Sequence, residues 1–292
     1  MNKILIINID SKIANLALKK IEKYHLARGD EVIWNFPLAR NQVDKIYVSC
    51  IFDWNKKQCE EWVGDAEIGG SGWDYAKKLP PEIDSVKPRI NYGFTTRGCV
   101  RNCKFCIVPK KEGWIKPEGD IYDLWDGQSK SITLLDNNIL ALPEHFELIC
   151  SQLKKEKLIV DFNQGLDHRL LNQDTVDLLK SIRHKEYRFA FDHPTSKPTV
   201  EKTIKLLKKN GINRCSWYVL VGFDTTIEED LERLNYLRAE NQVAYVQRYS
   251  KDDIYIPIAR WANQHHIYRG MTWEQFLAYP ANKRYRGMFN GR

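Results

Sequence analysis

Three cysteines spaced C-x3-C-x2-C constrain this chain more than any other feature of its sequence. Cys99, Cys103 and Cys106 stand in the segment Tyr92–Pro109, which reads YGFTTRGCVRNCKFCIVP. Thiolates gathered this closely bind soft metals, and three of them around a four-iron cluster leave one iron open to an external ligand. A structural zinc would need a fourth ligand, and no His lies nearby in the sequence. We therefore predict an iron–sulfur cluster in this loop.

The competing interpretation is that these cysteines only pack. Positions four and seven residues apart share a helix face, and free Cys behaves as a small hydrophobe. Gly98 and the interleaved basic residues Arg97, Arg101 and Lys104 favour a cationic loop that suits thiolates over a core. The remaining cysteines are interpreted as buried or incidental thiols: Cys50, Cys59, Cys150 and Cys215.

Length and composition limit the class of protein. A chain of 292 residues suggests two domains or one large α/β barrel with an extension. The sequence has neither a basic leader followed by an apolar run nor an apolar stretch of about 18 residues, so export and membrane spanning are not expected. An odd cysteine count with clustered thiols fits a reducing compartment. We therefore expect a cytoplasmic protein.

The first 88 residues read as a small Rossmann-like α/β domain. Four apolar runs predict strands: KILIINI, EVIWNF, KIYVSCIF and AEIGGSGW. A helix is expected after the first run, with a cap at Asp10-Ser11, apolar residues from Ile13 to Tyr24 at helical spacing, and Gly29 at its end. Gly69, Gly70 and Gly72 are expected to form a tight turn, and the proline-rich segment 79–88 closes the domain.

Strands and helices alternate after this boundary. Six predicted strands, INYGFTT, SITLL, KLIVDFN, YRFAFD, CSWYVLVGF and VAYVQRY, alternate with amphipathic helices. A capping box at Thr226 and Glu229 begins one of those helices. The pattern predicts a partial (β/α)6 TIM-like barrel over residues 89–249, followed by a helical and basic extension over 250–292. Functional residues of such folds lie at the carboxyl ends of the strands.

The cysteine spacing, with Phe105 just before the last cysteine, resembles the signature of the radical S-adenosylmethionine (radical SAM) superfamily. The resemblance implies a [4Fe-4S] cluster held by Cys99, Cys103 and Cys106 and a bound S-adenosylmethionine. It also implies reductive cleavage to a 5′-deoxyadenosyl radical that abstracts hydrogen from a substrate, with electrons from a flavodoxin- or ferredoxin-type donor.

The resemblance extends to residues at four strand ends. Asp136, Asn137 and Asn138 stand where many family members have a Gly-Gly-Glu segment that binds the methionine amino group. The third strand leads into a loop whose polar residues would hold the cofactor: Asn163, Gln164, Asp167 and Arg169. Arg169 would clamp the methionine carboxylate, although a surface ion pair with Asp167 is an equally good interpretation. The DNN segment can also be a simple turn and helix cap.

The last two strand ends would contact the nucleoside. Asp192 stands where relatives contact the ribose, and Leu220 and Gly222 resemble the strand that lies against the adenine. Phe105 would flank the adenine. Each of these residues also has a purely structural interpretation: a turn before Pro194, an ordinary buried strand and simple packing.

The N-terminal domain resembles the cobalamin-binding-like domain that precedes one large radical SAM subgroup, but it lacks the motif. The cobalamin-binding version carries Asp-x-His-x-x-Gly. Around His25 of this chain, Lys23 stands at the position of the Asp and Arg28 at the position of the Gly. Methylthiotransferases have three further cluster cysteines in this domain, and only Cys50 and Cys59 occur here. Neither cobalamin nor a second cluster is expected, and the domain is interpreted as a scaffold or a substrate-shaping element.

The excess of positive charge lies in the part of the chain that carries the cysteine loop. Residues 1–88 are neutral, so the net charge of +7 lies after Pro88. This asymmetry favours an anionic substrate, such as a nucleic acid or nucleotide, although a modest excess of positive charge is more often a solvated surface. The tail after Ala281 is basic and aromatic and could grip nucleic acid, but a frayed, solvated tail is the favoured interpretation. Two alternatives stay open: a tRNA- or nucleotide-modifying, methylthiotransferase-like enzyme, and a non-catalytic iron–sulfur or zinc protein that binds a partner.

Overall fold

The computed structural model describes residues 1–289 of the chain. These residues divide into two compact units. The first consists of Met1–Gly93 and Asp120–Ser129, and the second consists of Phe94–Gly119 and the chain from Lys130 onward. The division expected from sequence at residues 88 and 249 stays a prediction.

A parallel sheet forms the centre of the first unit. Its strands are β1 (Lys3–Asn8), β2 (Glu31–Trp34), β3 (Lys45–Ser49) and β4 (Glu67–Gly69), in the spatial order β2-β1-β3-β4. Helix α1 (Leu16–Ala27), helix α2 (Pro81–Asp84) and the short segment β5 (Tyr92–Gly93) complete it, with 3-10 helices at Pro37–Gln42, Asp53–Trp62 and Ile121–Asp123. All four strands predicted in this region are confirmed.

The sheet buries one apolar cluster on each face. Leu5 and Ile7 pack in one cluster with Trp62, whereas Ile4 and Ile6 pack in the other, which includes residues of α1. This alternation follows from the two-residue period of a strand. The apolar run that predicted a doubly covered strand therefore lies at the centre of this unit.

The predicted start of helix α1 is wrong. The helix begins at Leu16, and the side chain of Asn15 caps it by accepting from the N–H of Leu18 at 3.3 Å. Ile13 lies outside the helix and is exposed. Asp10 does not cap this helix, because its carboxylate accepts from the backbone N–H groups of Ile51 at 2.8 Å and Phe52 at 2.9 Å.

The glycines after β4 are required by close backbone packing. A Cβ on Gly70 would overlap the backbone of Cys50, and a Cβ on Gly72 would overlap that of Phe52. Gly70 also has a φ of +98°, which side chains disfavour. These contacts bring the segment after β4 against the loop that follows β3.

The strands of the second unit lie in three hydrogen-bonded groups. They are β6 (Thr96–Arg97), β7 (Lys116–Pro117), β8 (Ser131–Leu134), β9 (Ile159–Phe162), β10 (Arg183–His184), β11 (Arg188–Ala190), β12 (Ser216–Val221) and β13 (Val243–Arg248). Strands β6 and β7 pair antiparallel. Strands β8, β9 and β10 are parallel neighbours, and so are β11, β12 and β13.

An interrupted strand lies between the two parallel groups. Strands β10 and β11 are separated only by residues 185–187, yet β10 pairs with β9 and β11 pairs with β12. The Leu166 N–H also donates to the Arg188 carbonyl oxygen at 2.8 Å, which joins the loop after β9 to β11. The fold is α/β with parallel sheets, and residues 1–289 contain no closed barrel.

The helices of the second unit follow the predicted pattern. They are α3 (Val108–Lys111), α4 (Pro143–Lys155), α5 (Gln173–Ser181), α6 (Lys197–Lys209), α7 (Ile227–Ala239), α8 (Tyr255–Asn263), α9 (His265–Gly270), α10 (Trp273–Ala278) and α11 (Lys283–Arg286). Short 3-10 helices span Ile139–Ala141, His168–Leu170, Pro194–Ser196 and Pro280–Asn282. The capping box predicted at Thr226/Glu229 is confirmed, and a second capping box lies at Thr272/Gln275.

The C-terminal segment is packed, so the expectation of a frayed tail is wrong as far as residue 289. Tyr285 is buried, and the Phe289 ring meets the Trp273 ring edge-on at 5.1 Å. Arg286 donates to the carbonyl oxygen of Leu277 at 2.7 Å. The last three residues of the predicted tail lie outside the described residues. The buried Tyr285 ring is therefore not presented to solvent as a stacking surface.

No helix within residues 1–289 is long and apolar enough to cross a lipid bilayer.

Candidate cofactor site at the cysteine loop

The cysteine loop leaves β6 through a glycine that cannot be replaced without strain. Gly98 has a φ of +84°, and a Cβ there would overlap the carbonyl oxygens of Gly113 and Trp114. Its N–H donates to Glu112 at 3.0 Å, and the Cys99 N–H donates to the Gly113 carbonyl oxygen at 3.1 Å. The segment after the loop therefore fixes the backbone at the first cysteine.

The three cysteines of the loop are partly exposed, unlike the other four. Cys99, Cys103 and Cys106 are each half-buried, whereas Cys50, Cys59, Cys150 and Cys215 are buried, as the sequence predicted. The Cys99 sulfur accepts from the Arg101 N–H at 3.3 Å. No group of three His, Cys, Asp or Glu side chains within residues 1–289 is arranged to hold a single metal ion.

The pKa values of the Cys103 and Cys106 thiols are raised. Burial raises the pKa of Cys103, and the charge of Arg169 only partly opposes this effect. Burial also raises the pKa of Cys106, against a hydrogen bond from the Val108 N–H. The charges of the other loop cysteines and of Asp192 act in the same direction as burial. Desolvation is thus the largest influence on the pKa values of Cys103 and Cys106.

Asp136 holds the chain that enters the loop. Its Oδ1 accepts from the N–H and hydroxyl of Thr95 at 2.9 and 3.0 Å, from the Thr96 hydroxyl at 2.7 Å and from the Thr96 N–H. Its Oδ2 is buried and has no partner among the described residues. Burial raises the pKa of Asp136 despite these donors. Asp136 therefore anchors the start of β6 through one carboxylate oxygen, and its other oxygen remains an unpaired buried acceptor within the described residues.

The two asparagines that follow Asp136 point at different parts of the loop. Asn138 Nδ2 donates to Asp167 at 3.1 Å and to the Cys99 sulfur at 3.7 Å, while its Oδ1 is buried without a partner in the described chain. Asn137 donates to Glu112 at 2.9 Å. Glu112 also pairs with Arg97 at 3.0 Å. The DNN segment is thus bound to both ends of the cysteine loop.

Asp167 links the loop after β9 to the cysteine loop. It accepts from Arg101 Nε at 3.0 Å and from Arg169 Nε at 2.6 Å, and its side chain is 4% exposed. Burial acts to raise the pKa of Asp167, but the hydrogen bonds and charges of Arg169 and then Arg101 lower it to about 2. Arg169 therefore makes the ion pair with Asp167 that the sequence offered as the alternative to a carboxylate clamp. It retains guanidinium N–H groups beyond the two that reach Asp167.

A buried ion pair braces the ends of β11 and β12. Asp192 accepts from the Leu220 N–H at 3.1 Å. Arg233 donates to the carbonyl oxygens of Phe191 and Leu220 and pairs with Asp230, which accepts from the Gly222 N–H at 3.0 Å. Gly222 has a φ of +76°, and a Cβ there would overlap the Tyr255 ring. These contacts hold three of the four residues that were predicted to contact the nucleoside, namely Asp192, Leu220 and Gly222.

Phe105 belongs to a chain of aromatic rings. It meets Phe223 edge-on with ring centroids 5.5 Å apart, and Phe223 meets Tyr249 edge-on at 4.6 Å. Phe223 directly follows Gly222, so these ring contacts connect the cysteine loop to the segment just after β12. Sequence reasoning identified Phe105 and missed the two rings beyond it.

The remaining predicted residues lie apart from this network. The Asn163 carbonyl oxygen accepts from the Tyr218 hydroxyl at 2.7 Å, and Gln164 is exposed. The structure thus joins the DNN segment, Asp167 and Arg169 to the cysteine loop, and joins Asp192 to Leu220. No sequence pattern indicated Glu112, Arg233 or Asp230 as the partners that hold these residues. The cofactor contacts of all of them stay predictions.

Comparison with known proteins gives a distant similarity. No family model matches the chain. The chain is similar to a tRNA-2-methylthio-N(6)-dimethylallyladenosine synthase of Aquifex aeolicus, with 25% identity over 214 residues, which covers 61% of this chain and 48% of the relative. The chain therefore spans about half the length of the curated relative it matches. This similarity supports the radical SAM superfamily and no finer assignment.

Proposed function

We propose that this protein is a radical SAM enzyme whose cysteine loop holds a [4Fe-4S] cluster with S-adenosylmethionine beside it. One observation carries the proposal. Residues from the ends of β8 and β9 converge by side-chain contacts on the C-x3-C-x2-C loop, through Asn138 to Cys99 and through Asp167 to Arg101. A loop that only packed would have no need of this polar network.

The chemistry of the residues fits the cofactors. Cys99, Cys103 and Cys106 would hold the cluster, and the N–H groups of Arg101 and Asn138 already point at one of the sulfurs. Hydrogen bonds to the cysteine sulfurs help to set the reduction potential of such clusters. When bound, the pair of cofactors supplies a one-electron cleavage of the sulfonium and a radical that abstracts hydrogen. The partly buried loop would keep water from the site.

Two buried acceptors without partners fit the methionine amino group. Asp136 Oδ2 and Asn138 Oδ1 belong to residues two positions apart just after β8, and both are unpaired within the described residues. A buried unpaired acceptor costs about 1–3 kcal/mol, and a ligand ammonium would relieve that cost. The spare guanidinium N–H groups of Arg169 would bind the carboxylate. Phe105, Asp192, Leu220 and Gly222 would contact the nucleoside.

The finer architecture and the electron donor belong to the same proposal. Strands β8 to β13 follow one another in sequence order, and the interrupted strand β10/β11 lies between the two parallel groups. This order supports a partial (β/α)6 barrel in which the cysteine loop lies at the carboxyl ends of the strands. A flavodoxin- or ferredoxin-type protein would supply the electron.

Substitution of the loop cysteines tests the cluster directly. Changing Cys99, Cys103 or Cys106 to Ala should remove the iron and the visible absorbance of anaerobically reconstituted protein. The matched control is Cys150→Ala, which changes a buried thiol outside the loop and should leave the iron content intact. Full iron in any of the three loop variants would contradict the proposal.

A second candidate is narrower: a radical SAM enzyme that modifies tRNA or a nucleotide. Two observations favour it, namely the printed activity of the Aquifex relative and the excess of +7 after Pro88. The same anaerobic protein would be incubated with bulk tRNA and S-adenosylmethionine. A modified nucleoside in the digested tRNA would support this candidate, and unmodified tRNA beside active cofactor cleavage would contradict it.

A further inference from the structure

We propose that the exposed tyrosine face of β13 binds a single-stranded nucleic acid segment by stacking its bases on Tyr245 and Tyr249. This inference rests on the proposed function and names the substrate class of the same site. It comes from the face of β13 on which Gln247 lies opposite Leu220 of β12, beside the residues proposed to contact the nucleoside.

The face is defined by alternation along one strand. Tyr245 and Gln247 of β13 are exposed with the buried Val246 between them, and Tyr249, the residue directly after β13, is exposed as is Arg248 before it. Tyr245 is 47% exposed and Tyr249 is 53% exposed. Alternate residues of a strand share a face, so the two rings stand about 13 Å apart along it with the Gln247 amide between them. Large aromatic side chains at two exposed positions of one strand face are unusual for a surface that only meets water.

The outer edge of β13 is already closed, so this surface is not an edge for adding a strand. Asn263 of helix α8 accepts from the Val246 N–H at 2.6 Å and donates to the Val246 carbonyl oxygen at 3.1 Å. A second β-strand would have to displace this amide. The side chains of the face, and not its backbone, are therefore what a ligand would contact.

The two rings are fixed in orientation by their neighbours. Tyr245 meets the Tyr218 ring edge-on at 5.8 Å, and Tyr218 is anchored by its hydroxyl to the Asn163 carbonyl oxygen. Tyr249 meets Phe223 edge-on, and Phe223 meets Phe105 of the cysteine loop. An edge-to-face contact covers at most one face of a ring, so each tyrosine keeps at least one face that this contact does not cover. The aromatic chain also makes the face continuous with the candidate cofactor site.

Charge and chemistry select the occupant. Every base has a π-face, and stacking on aromatic side chains is the common mode of single-strand binding. Gln247 can donate to and accept from a base edge. Arg248 beside Tyr249 is exposed, as are Lys104 and Lys110 of the cysteine loop. An anionic backbone with unpaired bases matches both the rings and the cations, whereas an apolar peptide would use only the rings.

The test separates stacking from charge by comparing two probes of equal charge. Binding of a short single-stranded oligoadenylate and of an abasic strand of equal length would be measured by fluorescence anisotropy on the full chain, with and without the cluster. Base stacking contributes about 1–3 kcal/mol per base, so Tyr249→Ala and Tyr245→Ala should each weaken oligoadenylate binding about 5- to 150-fold. Tyr249→Phe should bind like the wild type, because it retains the ring.

Tyr279→Ala is the matched control, since Tyr279 is equally exposed and lies outside this face. It should leave binding unchanged, and thermal melts would confirm that each variant is folded. The inference would be overturned if the abasic strand bound as tightly as oligoadenylate. It would also be overturned if Tyr245→Ala and Tyr249→Ala bound oligoadenylate as tightly as Tyr279→Ala does. Absence of binding to either probe at low salt would also overturn it and leave the face to a peptide or small molecule. Tyrosine-dependent binding of oligoadenylate by a protein that does not cleave S-adenosylmethionine would contradict only the proposed function. Cleavage of S-adenosylmethionine by a protein without this binding would contradict only the present inference.

Discussion

Replacing Arg233 by Met should strongly destabilise the second unit, because this residue closes a buried ion pair at two strand ends. Arg233 is 2% exposed. It donates to the carbonyl oxygens of Phe191 at 2.6 Å and Leu220 at 2.8 Å and pairs with Asp230. Met fills a similar volume without supplying any of these donors.

The expected loss follows from what the substitution leaves unpaired. Removing one partner of a buried ion pair costs about 3–5 kcal/mol, because the other charge stays buried without compensation. The two orphaned carbonyl groups act in the same direction, but such effects overlap. For a unit of this size the loss corresponds to a fall of about 6–20 °C in melting temperature. Adding Asp230→Asn to Arg233→Met should recover part of it, since the uncompensated charge is then gone.

Urea unfolding followed by tryptophan fluorescence and by circular dichroism would measure the loss. Arg214→Met is the matched control, because Arg214 is exposed, and its midpoint should stay near that of the wild type. A loss below about 1 kcal/mol for Arg233→Met would refute the reasoning, since exposed ion pairs already contribute that much. It would mean that Arg233 does not brace the strand ends that carry Asp192 and Gly222.

Three further predictions concern Gly98 at the start of the cysteine loop, Asp136 that anchors β6, and the imidazole of His184. Gly98→Ala should lower stability and iron content more than Gly211→Ala, because both glycines have positive φ and only Gly98 would overlap backbone; equal melting temperatures would contradict this account. Asp136→Ala should lower the urea midpoint well below that of Asp136→Asn, which keeps the Oδ1 acceptor, while Asp136→Asn should weaken S-adenosylmethionine binding to cluster-loaded protein in equilibrium dialysis. Burial lowers the pKa of His184 to about 4 from 6.5, so the unfolded chain takes up the proton first as pH falls. Stability should therefore drop between pH 6.5 and 4, and His184→Gln should remove up to about 3 kcal/mol of that drop in urea titrations; parallel pH profiles would count against it.

The arrangement of strands was readable from the sequence because it depends on local patterns. Continuous apolar runs predicted the parallel strands, and the Thr226/Glu229 pair predicted the start of α7. The two-residue strand β10 (Arg183–His184) was not predicted, because two polar residues show no hydrophobic periodicity. The start of α1 was misjudged because Asp10 and Asn15 are both good caps, and only the position of the β3 loop decides between them.

The candidate site was predictable in its members and not in their partners. Spacing identified the three cysteines, and the strand ends identified Asp136 and Asp167. The partners of Asp136 at Thr95 and Thr96 lie about 40 residues away in sequence, so no local pattern could show that its carboxylate turns back to hold β6. Likewise, Arg169 could be assigned to a ligand or to Asp167 only once the distance between them was known.

The central claim is tested most directly by assaying 5′-deoxyadenosine. Anaerobically reconstituted protein would be incubated with S-adenosylmethionine and dithionite, and the nucleoside would be quantified by chromatography. The account predicts 5′-deoxyadenosine from the wild type and from Cys150→Ala, and none from Cys103→Ala. Protein that carries its full iron content and forms no 5′-deoxyadenosine, or a Cys103→Ala variant that forms as much as the wild type, would contradict it.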